Sequence, residues 1–394
     1  MFIGLSVNHK EGTTRFADAC VNEVVKAGEL HSSVKNLDME RDWSEADLLE
    51  KAKALHKIIY TIDSHCDTPI FFRYGVDIGK SNSALKVNPK ELDVETENKT
   101  VNYALKVDIP KMEKGMLDAV FMVAYIAPGP RTAIASQQAY EKSVNIINQI
   151  KQQINNNQSV VAQARTANDL KKNKAEGKKS IFVGIENGYG IGKDIENIKY
   201  LAELGVKYIT LSHNENNDIC DANSRKPEHN GLSEFGKKVV REMNRYGIIV
   251  DISHTSEKSS FDALAVSKYP IIASHSSAKA LCDHPRNLSD ELIKAIAKKG
   301  GVVQICLYHE FLTKTGTASV KDAVDHIDYI VQLVGINYVG VGSDFDGGGG
   351  IKGLQNAGDY LQITMELIRR GYSDFDIAKI LGGNLMRVLE AVER

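Results

Sequence analysis

The chain has 394 residues, 42% of them apolar and 25% charged, with a formal net charge of −2. That length suits one large α/β barrel with insertions or two to three average domains. The near-neutral balance, with no basic block or aromatic–basic stripe, excludes nucleic acid as an expected partner.

No apolar run approaches the length of a membrane span. The N-terminus has neither a basic start nor an apolar stretch of export-signal length. Five scattered cysteines, Cys20, Cys66, Cys220, Cys282 and Cys306, form no CxxC pair. No disulfide framework or cysteine zinc site is expected, and a reducing, cytoplasmic setting is.

In chain order, residues 1–44 read as an N-terminal extension of unknown role, with a strand at 2–7 and a helix at 15–27. Residues 45–394 read as one α/β domain. A helix over residues 43–57 carries Ser44 as its N-cap and leads into the apolar run Ile58, Ile59, Tyr60, Ile62. This β-branched run reads as the first strand. His65 and Asp67 lie just past its end, and residues two apart on an extended chain share a side. Imidazole plus carboxylate suits zinc and similar cations. From this stretch alone, a strand-end histidine hydrogen-bonded to a nearby aspartate reads as well.

Residues 80–100, rich in Asn, Lys and Glu, read as a surface excursion. A second strand at 119–125 stops at Ala127-Pro128-Gly129-Pro130, and 137–154 is an amphipathic helix. Six more apolar runs follow, at 180–185, 208–211, 248–252, 271–273, 302–305 and 338–341. Helical patterns alternate with them at 195–203, 233–245, 259–267, 289–298, 320–334 and 360–370. Eight strands alternating with helices imply parallel pairing through right-handed crossovers, and so a (β/α)₈ TIM-type barrel. A doubly wound open sheet is the alternative, but no glycine-rich turn follows the first strand. Gly188-Tyr189-Gly190-Ile191-Gly192 follows the third strand, is GxGxG rather than GxGxxG, and reads as a loop.

His65, Asp67, Glu186, His213, His254, His275 and Asp344 all fall at or just past predicted strand ends. In a barrel those ends gather at one mouth, where active sites are built. Each alone is explained as a loop or core residue; all seven together point to a metal centre.

The motifs DSHCDTP, GIENG, LSHNENN, DISHTS, ASHSSAKALCDHPRN and GVGSDFDG resemble, in order and spacing, the membrane (renal) dipeptidase family of zinc peptidases. The resemblance covers roughly residues 45–394. It implies an amidohydrolase-like barrel that binds two zinc ions and hydrolyses dipeptides by attack of a hydroxide held between them. It implies that His65 and Asp67 bind the first ion, that Glu186 bridges both, and that His254 and His275 bind the second. His213 matches the histidine that binds the substrate carbonyl, Arg286 the arginine that grips the free carboxylate, and Asp344 the acid that moves a proton to the leaving amine. A homodimer is implied as well. Asn187 and Tyr189 stand where the family has glycine and often histidine, and Pro285 precedes Arg286, which leaves substrate preference open.

Asp346, two residues beyond Asp344, reads as structural. Gly347–Gly350 reads as a flexible lip over the mouth rather than a phosphate cradle. His56, His229, His284, His309 and His326 read as surface or supporting groups, and Cys66 as packing. A cyclic amidase, lactonase or phosphotriesterase on the same barrel is a second reading. His-x-Asp on the first strand in place of His-x-His, and glutamate in place of a modified lysine, count against it. A non-catalytic barrel would have lost ligands, and here every one is present.

Overall fold

The structure, a computed structural model, describes residues 43–87 and 101–393. The strand and helix read at 2–7 and 15–27 lie outside those residues, as does most of the excursion at 80–100. Ser44 caps the first helix, α1 (Glu45–Ile58), by accepting from the Asp47 amide at 3.2 Å.

Eight parallel strands follow: β1 (Ile62–Cys66), β2 (Ala119–Tyr125), β3 (Lys179–Glu186), β4 (Val206–Thr210), β5 (Ile249–Asp251), β6 (Ile272–Ala273), β7 (Val302–Cys306) and β8 (Val339–Gly342). They pair in chain order, β1 to β8. The last closes on the first through a seam: Asp344 donates its amide to His65 O at 3.1 Å and Asp67 its amide to Phe345 O at 2.8 Å. Ser343 N donates to Asp63 Oδ1 at 2.8 Å across the same seam. This is the nearly closed (β/α)₈ barrel that the alternation of apolar runs implies.

Two short pairings lie off the ring. Val161–Gln163 adds to the start of β3, and Leu85–Val87 forms an antiparallel hairpin with Val101–Tyr103.

Strand periodicity sorts the two faces. On β2, Val120, Met122 and Ala124 pack toward the helices, while Ala119, Phe121 and Val123 belong to a separate cluster inside the barrel. That inner cluster includes Ile62, Phe182, Tyr208, Ile249, Ile272 and Val302. Leu385, Val388, Leu389 and Val392 of the last helix (Asn384–Val392) close it from below. The same alternation on β3 puts Phe182, Gly184 and Glu186 on one side, so a floor residue and a mouth residue share one strand.

The first strand departs from the sequence reading. Ile58 is the last residue of α1 and is 54% exposed, and the strand begins at Ile62. His65 is therefore inside the strand rather than past it. Ile62 and Ser64 face the interior, and strict alternation would turn His65 outward. A register shift between Asp63 and Cys66 marks a bulge that re-aims it. Cys66 packs on the helix side, as read from the sequence.

Candidate metal centre

The barrel topology brings all seven strand-end residues to one mouth. Glu186 is the centre: its Oε1 lies 3.1 Å from His254 Nε2, 3.4 Å from His275 Nε2 and 3.9 Å from His213 Nε2. Its other oxygen lies 3.7 Å from His65 Nε2, which is also 3.4 Å from Asp67 Oδ2 and 3.9 Å from Asp344 Oδ1. Glu186, His65, His254, His275 and Asp67 are all buried.

The hydrogen bonds behind the rings fix their tautomers. His65 Nδ1 meets the Tyr208 hydroxyl at 2.7 Å, and that hydroxyl donates to Ser64 O at 3.1 Å, so Nδ1 is the donor. His254 Nδ1 meets Asn214 Oδ1 at 2.9 Å. His275 Nδ1 meets Ser274 Oγ at 2.8 Å, and Ser274 Oγ donates to Asp251 Oδ2 at 2.6 Å. Each ring is left with its Nε2 lone pair turned toward Glu186. The lone pairs of His254 and His275 stand 3.0 Å apart. Two lone pairs and a carboxylate oxygen converging without a donor repel one another unless a cation sits among them. His65 Nε2 and Asp67 Oδ1 are buried with no hydrogen-bond partner, which is the same signal on the other side of Glu186. The residues present therefore fit a metal.

The electrostatics agree. Burial opposes ionisation of Glu186, but the charge on His65 beside it holds it well below the usual carboxylate range. Burial and then the Glu186 charge push Asp67 well above it. Burial disfavours a charged His65, yet Glu186 and Asp67 outweigh it and hold that imidazole well above its ordinary value. Proton and cation thus compete for one lone pair. His254 and His275 are held well below their ordinary range by burial, with Arg286 and His65 respectively adding to it.

Arg286 lies on the rim between β6 and the helix Asp290–Lys298. It donates to His275 O at 3.1 Å and to Ser276 Oγ at 3.4 Å, and its guanidinium sits 5.3 Å from the Phe311 ring. Pro285 does not turn it away. Asp344 carries φ of 60° and His254 φ of 68°, a left-handed backbone that non-glycine residues adopt only when their surroundings impose it. Burial pushes the Asp344 carboxyl up to about 6 against the pull of His65.

Asp346 is structural: it accepts from Thr68 Oγ1 at 2.7 Å, Lys106 N at 2.8 Å, Tyr103 Oη at 3.0 Å and Val107 N at 3.3 Å. The glycine run is not a loose lip. A Cβ at Gly347 would lie 2.0 Å from Asp67 Oδ2, and one at Gly349 would lie 1.9 Å from Ser343 O, so the turn is packed against the site. His56 and His326 are buried between helices and hydrogen-bonded, and neither faces the mouth.

The supporting residues Tyr208, Asn214, Ser274 and Asp251 are absent from the sequence reading. Tyr208 and Asp251 carried a legible signal, a polar group at an inward position of an apolar strand.

A parallel barrel whose C-terminal mouth holds imidazoles around a buried carboxylate has the architecture of a metal-dependent hydrolase. A sequence profile of the membrane dipeptidase family, peptidase family M19, matches residues 49–394. The chain belongs to this family, and it is a metallopeptidase of the dipeptidase type. It is 37% identical to dipeptidase aclJ of Aspergillus oryzae over 296 residues, 73% of this chain and 70% of that one. It is 32% identical to dipeptidase verJ of Clonostachys rogersoniana over 359 residues, 88% of each. The crystal structure of the probable dipeptidase PvdM from Pseudomonas aeruginosa superposes with a TM-score of 0.78 at 27% identity, covering 89% of this chain and 99% of that one. No helix among the described residues is long and apolar enough to cross a membrane.

Proposed function

We propose that the protein hydrolyses the peptide bond of free dipeptides at a centre for two divalent cations, zinc being the ion best suited to the ligand set. His65, Asp67 and Glu186 would hold one ion, and Glu186, His254 and His275 the other. The observation that carries this reading is the convergence of the His254 and His275 lone pairs on one oxygen of Glu186 while His65 faces the other. When bound, such a pair supplies a hydroxide at neutral pH and polarises the scissile carbonyl.

The chain's own residues do the rest. His213 stands beside Glu186 at the open side of the site, where a donor can meet the carbonyl oxygen as charge develops on it. Arg286, bonded to the carbonyl of His275 at the same mouth, would pair with the free carboxylate of the residue after the scissile bond. That selects dipeptides over longer chains. Asp344, near His65 and with its carboxyl held near 6, takes and returns a proton as the amine leaves.

The test is hydrolysis of Gly-Leu beside its C-terminal amide. Glu186→Ala should abolish turnover of Gly-Leu and leave the fold intact, and undiminished turnover would overturn the metal assignment. The amide should be a far poorer substrate, and equal turnover would overturn the role of Arg286.

A further inference from the structure

We infer that Tyr208 is the positioning residue for one cation position: its hydroxyl orients the His65 ring so that Nε2 faces Asp67 and Glu186. This rests on the metal reading above. The Tyr208 side chain is fully buried on β4, and its hydroxyl proton is spent on Ser64 O. The remaining lone pair has one place to go, the His65 Nδ1–H at 2.7 Å.

The other two imidazoles are held differently. His254 leans on Asn214, an exposed loop residue, and His275 on the Ser274–Asp251 pair. Tyr208 instead belongs to the aromatic floor, with its ring 5.1 Å from Phe121, which in turn stacks on Phe182 at 4.7 Å. Gly184 on β3 makes room for it: a Cβ there would lie 2.8 Å from the Tyr208 ring. The glycine is needed for this close approach. The height and tilt of His65 are therefore set by the packing of the floor and by the His275 ring, whose centroid lies 3.9 Å away, while the Tyr208 hydroxyl itself bonds only the His65 side.

Zinc titration of the metal-stripped full chain, followed by competition with a chelator of known affinity, tests this. Tyr208→Phe keeps the ring and removes the hydroxyl. One zinc equivalent should bind about 10–100-fold more weakly than in the wild type, and the other should keep its affinity. Wild-type affinity for both equivalents, or equal weakening of both, would overturn the inference. A wild-type chain that binds no zinc would instead sink the metal reading itself, so the two failures are distinguishable. Should Tyr208→Phe not fold, Gly184→Ala retains the hydroxyl but displaces the ring. The same selective loss is expected there, and unchanged affinity for both equivalents would overturn the inference.

Discussion

At the floor of the barrel, Ile62, Phe121, Phe182, Ile249 and Ile272 fill the interior with side chains that need no partner but one another. At the mouth, on the same strands a few residues further along, His65, Glu186, His254 and His275 point polar atoms at each other with no donor between them. Glu186 and Phe182 even share one face of β3. The floor is satisfied by packing and the mouth is left electrostatically incomplete, which is the condition for binding a cation. Stability and function are thereby concentrated at opposite ends of the barrel, joined through Tyr208, and variants at the two ends should differ in their main failure.

The largest effect is expected at the floor. Phe182→Ala removes a fully buried ring stacked on Phe121 and should destabilise the fold by about 3–5 kcal/mol, read by chemical denaturation of the metal-free chain. At the mouth the pattern should invert. His213→Ala should lower kcat by about 10²–10³-fold while the denaturation midpoint hardly moves. A His213→Ala chain that loses stability in proportion to its activity would break the separation.

A smaller effect should come from the outer layer, which belongs to neither end. His56, on the inner face of α1, is buried between Met116 O and Thr364 Oγ1, and burial lowers its pKa from 6.5 to about 4. Between those pH values the unfolded chain binds a proton that the folded chain does not. The contribution is thus present above pH 6.5 and lost as pH falls toward 4, by up to about 3 kcal/mol. Comparing the pH 7 and pH 5 denaturation midpoints of wild type and His56→Phe isolates it. The variant's midpoint should fall less between the two, and an identical fall would refute this account.

Much of the fold was legible because the barrel repeats one local rule. β2 spans the residues read as the second strand, and the helix Val320–Val334 those read at 320–334. Ser44, Ser233 and Ser289 cap the helices whose starts they mark. What failed to show was tertiary in origin. Ile58, Ile59 and Tyr60 look like a strand because they are apolar and bulky, but Ile58 ends α1, Ile59 is its C-cap and Tyr60 lies in the connection to β1. The strand proper is the polar Asp63-Ser64-His65, buried only because the rest of the barrel encloses it. The final helix was not read, although Leu385, Val388, Leu389 and Val392 recur at helical spacing. Among site residues, histidines and acids at strand ends declare themselves by position. Their supports show only a polar group in an apolar strand, and what Tyr208 supports is seen only when its hydroxyl meets an imidazole.

The seam between β1 and β8 carries one more consequence. His65 and Asp344 are separated by most of the domain in sequence, and the backbone bond that shuts the ring joins these two residues. Until the final strand docks, β1 lacks the acid proposed to move the proton, because Asp344 reaches His65 only across the seam. Closing the cylinder and assembling the proposed site would then be one folding event.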